Sequence, residues 1–357
     1  MSQQVTPLKE NFNAGEFGGR MAARVQFDKY QNAGAIYQNI LPLPQGGYTY
    51  RPGFRYVANA KSNSVRPWLI KFEFSTTQSY VLEFGEQVLR FFRNQAPIVA
   101  PNTDAVVTNG SFPSNITGWT ARNTGTGTVA WDGTNFNMDL QGAGAGNEAR
   151  AYQAITTTNT NIEHVIAFKV VGDAGDQIIV RVGSAAGGSQ YLSDSKKDAG
   201  WHTVQFTPTA SPFYLEFENG KNKTISIDDV SVIDNTPVEI PTPWSESDMP
   251  DVGYAQSADV MYFCIGGTTR VYRLERYGHS SWSLVNVLFE DGPYINQNVT
   301  ATTLALSAVT GNGITVTASS IIGINDDKGF QSTDVGRLIR FKSTDWTWMQ
   351  ITAVGST

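Results

Sequence analysis

Ile70–Arg93 (IKFEFSTTQSYVLEFGEQVLRFFR) and Val252–Tyr277 (VGYAQSADVMYFCIGGTTRVYRLERY) carry one layout. Each reads as a strand, a polar break, a second apolar strand, a glycine turn and an alternating third strand that reaches an arginine. Tyr80-Val-Leu-Glu-Phe-Gly85 aligns with Val260-Met-Tyr-Phe-Cys-Ile-Gly266, and Val88-Leu-Arg-Phe-Phe-Arg93 with Val271-Tyr-Arg-Leu-Glu-Arg276. Self-similar strand triplets mark repeating sheet units such as propeller blades. Here residues 94–251 stand between the two copies, so a β-rich host is interrupted by something else.

Composition agrees with an all-β chain. Of 357 residues 34 are glycine, and charged residues make up only 16%. Glycine supplies the turns, and no window sustains a helical apolar period. A net charge of −6 argues against broad nucleic-acid binding, which needs clustered cations on the phosphates. The single cysteine, Cys264, excludes an internal disulfide. Its place in the apolar run Met261-Tyr-Phe-Cys-Ile265 predicts a small buried hydrophobe. The opening MSQQVTPLKENF has no apolar signal region, and no run approaches a membrane span. Synthesis in the cytoplasm follows.

Four parts are expected along the chain. Residues 1–58 form an extended N-terminal arm, since the stretch from Leu41 to Val57 holds three prolines and cannot ladder or bury much alone. Residues 59–101 and 237–293 form the discontinuous, blade-like host. Pro-bearing linkers, Gln95–Asp104 and Asp234–Trp244, flank an insertion, residues 102–236, which is expected to be an autonomous domain with neighbouring ends. Within it short strand-like runs recur at Gly127–Trp131, Asn135–Leu140, Ala149–Ala154, Glu163–Val171, Gln177–Gly183, Trp201–Thr207, Phe213–Glu218 and Thr224–Ile233, the signature of a sandwich. Residues 294–357 form a small C-terminal β unit, and because the chain ends directly after a strand it is expected to continue in a longer protein.

Two resemblances cover nearly the whole chain. With its opening Asn109-Gly-Ser-Phe112, Gly118-Trp119, Trp201-His-Thr-Val-Gln-Phe-Thr207, Phe213-Tyr-Leu-Glu-Phe217 and closing Ile227-Asp-Asp-Val-Ser-Val232, the insertion resembles the jelly-roll carbohydrate-binding modules often attached to secreted glycosidases. That family usually places an acidic residue after the opening Phe, to help hold a structural Ca²⁺. Pro113 stands there in this chain, which leaves Asp228 and Asp229 as the carboxylates of such a site. The host is similar to tail proteins of short-tailed bacteriophages, the tubular or nozzle component below the portal and adaptor. The residues that carry this likeness are Leu8–Phe17, Asp28-Lys-Tyr30, Asn39–Gly47, Arg51-Pro-Gly-Phe-Arg55, Leu69–Ser75, Tyr80–Gly85 and Tyr254–Asp259. The resemblance implies a structural virion protein, commonly a hexameric ring that lines the DNA exit channel. Its partners would be copies of itself, portal and adaptor proteins, tail fibres, exported DNA in passing, and a host surface glycan at the outward-facing jelly roll.

Candidate residues follow from chemistry. Sugars take flat rings against pyranose faces and amides against hydroxyls, which singles out Trp119, Trp131, Tyr152 and Tyr191 with Asn135, Asn137, Gln153 and Gln190. On the host, Arg20, Arg51, Arg55 and Arg90 are candidates for a subunit interface or for the DNA channel. His164, His202 and His279 share no metal spacing with one another or with Cys264, and no G-x-S-x-G elbow is present. Glu216 and Glu218, at i and i+2, are expected on a solvated sheet face rather than as a glycosidase pair. No motif calls for a cofactor. The resulting expectation is a non-enzymatic structural tail protein with an outward jelly roll; the alternative is a carbohydrate-binding adhesin acting through that jelly roll.

Overall fold

The computed structural model describes residues 9–75, 78–265, 271–288, 294, 296–308, 311, 313–342 and 346–355. Nearly all its regular structure is β, in several antiparallel sheets, and among the described residues none closes into a barrel. The first triplet is a meander of β1 (Trp68–Ser75), β2 (Gln78–Gly85) and β3 (Val88–Arg93). The insertion contributes β4 (Thr128–Asp132), β5 (Asn137–Gln141), β6 (Ala149–Ile155), β7 (His164–Val171) and β8 (Gln177–Gly183). It continues with β9 (Leu192–Asp198), β10 (Gly200–Phe206), β11 (Phe213–Asn219) and β12 (Thr224–Ile233). After β13 (Glu239–Pro241) the second triplet appears as β14 (Val252–Ser257), β15 (Val260–Ile265) and β16 (Tyr272–Arg276), followed by β17 (Trp282–Asn286).

The two triplets face each other. Alternation puts Phe72, Tyr80, Phe84 and Phe91 on one inner face and Met261, Phe263, Leu274 and Trp282 on the other. Phe91 stacks on Trp282 with ring centroids 4.3 Å apart. The same period turns Cys264 outward, where it is exposed, which corrects the expectation of a buried thiol. Phe263 holds the core position that an apolar run alone leaves open.

The insertion is a sandwich of two sheets. One has the order β9-β8-β11-β6, with the two-residue strand Thr120–Ala121 at its edge. The other, β4-β5-β12-β7-β10, does not stop at the insertion: β10 hydrogen-bonds to β17, and the sheet runs on through β16, β15 and β14 to nine strands. Gly200 makes that seam, opposite Val285. It has φ +148°, and a Cβ there would lie 2.4 Å from the Leu284 carbonyl oxygen.

The shared sheet is covered on opposite faces at its two ends. Ile166, Phe168, Val204 and Phe206 face the insertion core with Val180, Leu215 and Phe217, whereas Val165 and Leu284 belong to the host core, with Trp201 packed against it. Where the cover changes sides, part of the face of β16 and β17 lies beyond the edge strand β9. The polar sequence LSDSKKD of β9 carries no strand signal, so this edge was not foreseen.

Chain entry and exit run together. Val99 and Pro237 form an antiparallel bridge, the Ala100 amide donates to the Thr236 carbonyl at 3.0 Å, and the Thr103 amide donates to Asp234 at 2.5 Å. Asp104 accepts from the hydroxyls of Thr157 and Thr158, and these hydrogen bonds hold its carboxyl down at about 2.

On the outer face of the meander, Glu83 and Arg90 are paired and buried, with Arg90 Nη2 2.6 Å from Glu83 Oε2. Lys61 lies over them: its amide donates to Glu83 and its ammonium reaches Glu239 on 2.7 Å. Arg90 therefore presents no guanidinium to DNA or to a neighbouring subunit, correcting its candidate role. The C-terminal residues hold two strand pairs, Leu304–Leu306 with Val316–Ala318 and Leu338–Lys342 with Trp346–Gln350.

Residues up to Ala60 are a separate unit. Gly15–Glu16 pairs in parallel with Ala33–Gly34, and Ile40–Pro42 antiparallel with Tyr48–Tyr50. Among its described residues only Ala33 and Gly46 are buried, while Tyr50 is 81% and Phe54 89% exposed. Arg20, Arg51 and Arg55 are exposed here, the Arg51 guanidinium 4.6 Å from the Phe54 ring centroid.

Candidate functional site

The outer face of the five-stranded sheet is built by simple alternation. On β11 Phe213, Leu215 and Phe217 enter the core, so Tyr214, Glu216 and Glu218 face outward. On β6 Ala149 and Ala151 point inward and Arg150 and Tyr152 outward; on β8 Val180 and Val182 point inward and Arg181 outward. Register then sets Tyr152 opposite Glu216 and Glu216 opposite Arg181, with Arg150 opposite Glu218 one row along.

The expected solvated carboxylates are in fact buried. Glu216 is 1% exposed because arginines lie over it: Arg122 donates from Nε at 2.8 Å and Nη2 at 2.7 Å, and Arg181 from Nη1 at 2.8 Å. Arg181 Nη2 also meets Glu218 at 2.7 Å, Arg150 Nε meets Glu218 at 2.8 Å, and Arg181 Nε meets Asp194 at 2.8 Å. The Glu216 hydrogen bonds push the Arg122 guanidinium still further up. Bidentate arginine pairing gives the geometry its direction, and desolvating so many charges contributes little to net stability. What it does provide is a face whose donors are fixed in place.

Beside this network the rings of Tyr152 and Tyr214 lie with centroids 5.9 Å apart, tilted by 48°. Both are half-buried on this outward-facing side of the sheet. At the rim the side chains of Arg122 and Asp194 remain 37% and 58% exposed. Flat rings flanked by fixed, partly exposed polar groups are the chemistry that holds a pyranose.

The other sugar candidates scatter. Trp119 is 7% exposed and packs between Phe112 and Phe217, so it is a core ring and offers no face to a sugar. Gln153 is buried and locks the chain entry, accepting from the Thr108 amide at 2.7 Å and donating to its carbonyl at 2.8 Å. Asn137 is buried in β5. Trp131 and Asn135 lie at the edge of the other sheet: Trp131, 38% exposed, donates to the Phe112 carbonyl at 2.9 Å, and Asn135 donates to Asp132 at 2.6 Å. Gln190 accepts from the Ser184 amide at 3.2 Å and shapes its own loop, and Tyr191 accepts from Thr209 at 3.3 Å.

Of the sequence candidates, Tyr152 is thus the one placed in the aromatic–arginine face. Tyr214, Arg122, Arg150 and Arg181 were missed. The alternation Phe213-Tyr-Leu-Glu-Phe-Glu218 already signals Tyr214 with the two carboxylates on one face; the arginines come from three other segments and carry no local signal.

Asp228 and Asp229 sit beside a bulge between β7 and β12, where Asp228 accepts from the Asp229 amide at 2.8 Å. Burial pushes the Asp228 carboxyl above its usual range. Among the described residues no three His, Cys, Asp or Glu side chains are grouped to hold a metal, and no helix is long and apolar enough to cross a membrane.

No family model matches the chain, and no curated protein matches it by sequence. Partial likenesses exist among solved structures. BiXyn10A CBM1 in its apo form is 14% identical, with TM-score 0.30, covering 37% of this chain and 98% of that one. The enzymatically active domain of tailspike protein 4 of bacteriophage CBA120 is 19% identical, with TM-score 0.27, covering 35% of this chain and 21% of that one. The mannan-recognising carbohydrate-binding module TmCBM27 is 11% identical, with TM-score 0.26, covering 39% and 98%. Likenesses at this level decide neither family nor ligand.

Proposed function

We propose that this protein binds glycans through the outer face of the five-stranded sheet. Residues 102–236 form the recognition domain, a sandwich of jelly-roll type, carried by the host of residues 59–101 and 237–293. One observation supports the reading above all: the Tyr152–Tyr214 ring pair lies directly beside guanidinium groups immobilised on buried Glu216 and Glu218. The rings stack on the sugar face, Arg122 and Asp194 meet its hydroxyls, and the ion pairs keep the face from reorganising on binding. The proposal involves no catalytic step.

Retention on immobilised glycans in affinity electrophoresis tests it. Tyr152→Ala and Tyr214→Ala are each expected to weaken retention by about tenfold, the worth of one stacking ring, with unchanged circular dichroism. No retention of the unmodified protein on any glycan, or retention indifferent to both substitutions, overturns the reading.

A second reading rests on the arm. Residues 9–60 hold exposed Tyr50, Phe54 and Tyr56 and bury almost nothing. Such a segment suits a chain that ties itself to neighbouring subunits, as in a phage tail, where the facing triplets would serve as blade-like units of a ring beside portal, adaptor and fibre proteins. Light scattering separates the two: glycan binding works in a monomer, and the architectural reading needs an oligomer.

A further inference from the structure

The hairpin that joins β4 to β5 belongs to the nine-stranded sheet, not to the sheet of the Tyr152–Tyr214 face, and it carries two exposed aromatic rings. Trp131 is 38% and Phe136 51% exposed, with ring centroids 6.5 Å apart and planes tilted by 48°. The indole is held at both ends. Its N–H donates to the Phe112 carbonyl at 2.9 Å, and the backbone of Gly133 packs on its six-membered ring, where an added Cβ would lie 2.9 Å from Cζ3.

Phe136 adopts a backbone conformation that its side chain disfavours. Among the described residues two aromatic ones stand in the left-handed region, Phe112 at φ +45° and Phe136 at φ +58°. A bulky residue is strained there, whereas glycine takes the same turn freely. Burial of the Phe112 ring in the insertion core offsets its strain. The half-exposed Phe136 ring gains no such burial, so the fold would be no less stable with glycine in its place. Strain kept beneath an exposed ring points to a use for the ring itself. The rest of the turn is well satisfied. The Phe136 amide donates to the Asp132 carbonyl at 2.9 Å, and the Asp132 carboxylate accepts from the Asn135 side chain at 2.6 Å and the Thr134 amide at 2.9 Å.

We propose that Trp131 and Phe136 form a second glycan subsite that takes one uncharged pyranose ring, its apolar face on the two aromatic rings and its hydroxyls toward Asp132, Thr134 and Asn135. Charge selects this occupant. From Thr128 to Gln141 the only charged residues are Asp132 and Asp139, so the hairpin offers no cation to an acidic sugar, a phosphate or an anionic membrane surface. A protein partner would need about 1,000 Å² of contact, far more than two half-exposed rings supply. Fixed flat rings beside side chains that accept and donate hydrogen bonds are what a sugar requires. The subsite stands on its own residues and does not depend on the Tyr152–Tyr214 face.

Fluorine NMR of the full chain labelled with fluorotryptophan tests this, with the Trp131 signal assigned by its loss in Trp131→Phe. Titration with methyl β-glucoside, methyl β-galactoside and methyl α-mannoside is expected to shift that signal saturably for at least one of them, with a Kd on the order of millimolar. Phe136→Gly should weaken this binding by about tenfold, the worth of one stacking ring, without lowering the melting temperature. Tyr152→Ala should leave the Trp131 response unchanged, so that the two sites fail separately. The unmodified protein decides even where a variant does not fold: no saturable shift with any of the three glycosides up to about 50 mM, or a response to phosphatidylserine vesicles in their place, overturns the proposal. So does a Phe136→Gly protein that binds as before, or one that melts several degrees lower, which would give the ring to the fold.

Discussion

The two ends of the nine-stranded sheet solve one problem in different ways. From β4 to β10 the sheet is covered by the five-stranded sheet over a core that is largely aliphatic, with Val180, Val182, Leu215 and Ile227 around a few phenylalanines. From β14 to β17 it is covered on its other face, by the β1–β3 meander, over a core dominated by Trp244, Trp282 and five other aromatic rings on β1, β2, β3 and β15. Hydrogen bonding is continuous across the seam although the hydrophobic core is not. A ladder joins backbones whatever their side chains do, whereas a core needs a cover on one chosen face. The insertion therefore borrows a host edge and ends one of its sheets on β17.

Trp282 is the strongest place to break this comparison, because it sits on the seam strand β17 and at the centre of the host core. Trp282→Ala is expected to cost about 3–5 kcal/mol in urea unfolding. If the halves are one cooperative body, fluorescence and amide exchange of both will shift together; loss confined to β14–β17 would show that the insertion core stands alone.

Gly200→Ala attacks the seam itself. A side chain at φ +148° that meets the Leu284 carbonyl should cost about 2–3 kcal/mol and reduce exchange protection at Trp201 and His202 before it affects β11. Unchanged protection there would mean that β10 and β17 are held by the two cores rather than by their pairing.

A smaller effect sharpens the comparison through pH. Burial depresses His202 to about 3, below its ordinary value near 6.5, and it also lowers His164 and His279. A group whose folded pKa is depressed contributes stability above its unfolded pKa and loses it as pH falls toward the folded value. Stability should thus decline below about pH 6.5, by at most about 1.4 kcal/mol per pH unit for each histidine involved. His202→Gln should flatten that slope between pH 6.5 and 4 in thermal melts. An unaltered slope would assign the pH dependence to the other two histidines.

Much of the candidate site was half legible. Tyr152 was chosen for its ring, and the strand Phe213–Glu218 showed Tyr214, Glu216 and Glu218 on one face. Their expected solvation was wrong for a definite reason: burial of an outward carboxylate depends on what lies over it, and Arg122, Arg150 and Arg181 arrive from different segments of the chain. Trp119 misled in the opposite direction, since a tryptophan at a strand border reads the same whether its ring enters the core or leaves it. Cys264 and Arg90 went astray through the same ambiguity, an apolar run and an alternating run that do not state which face is covered.

Local pattern by itself determined that this chain is nearly all β, where its strands alternate and which two triplets are alike. Those properties depend on neighbours along the backbone: side-chain period, turn residues and prolines. Tertiary structure alone decided that the triplets face each other, that β10 and β17 fuse two sheets into one, and that Glu216 and Glu218 lie buried under arginines from other segments. These depend on pairings between residues far apart in sequence, whose free energy comes from area covered and charge desolvated, quantities that exist only once the opposing surface is in place.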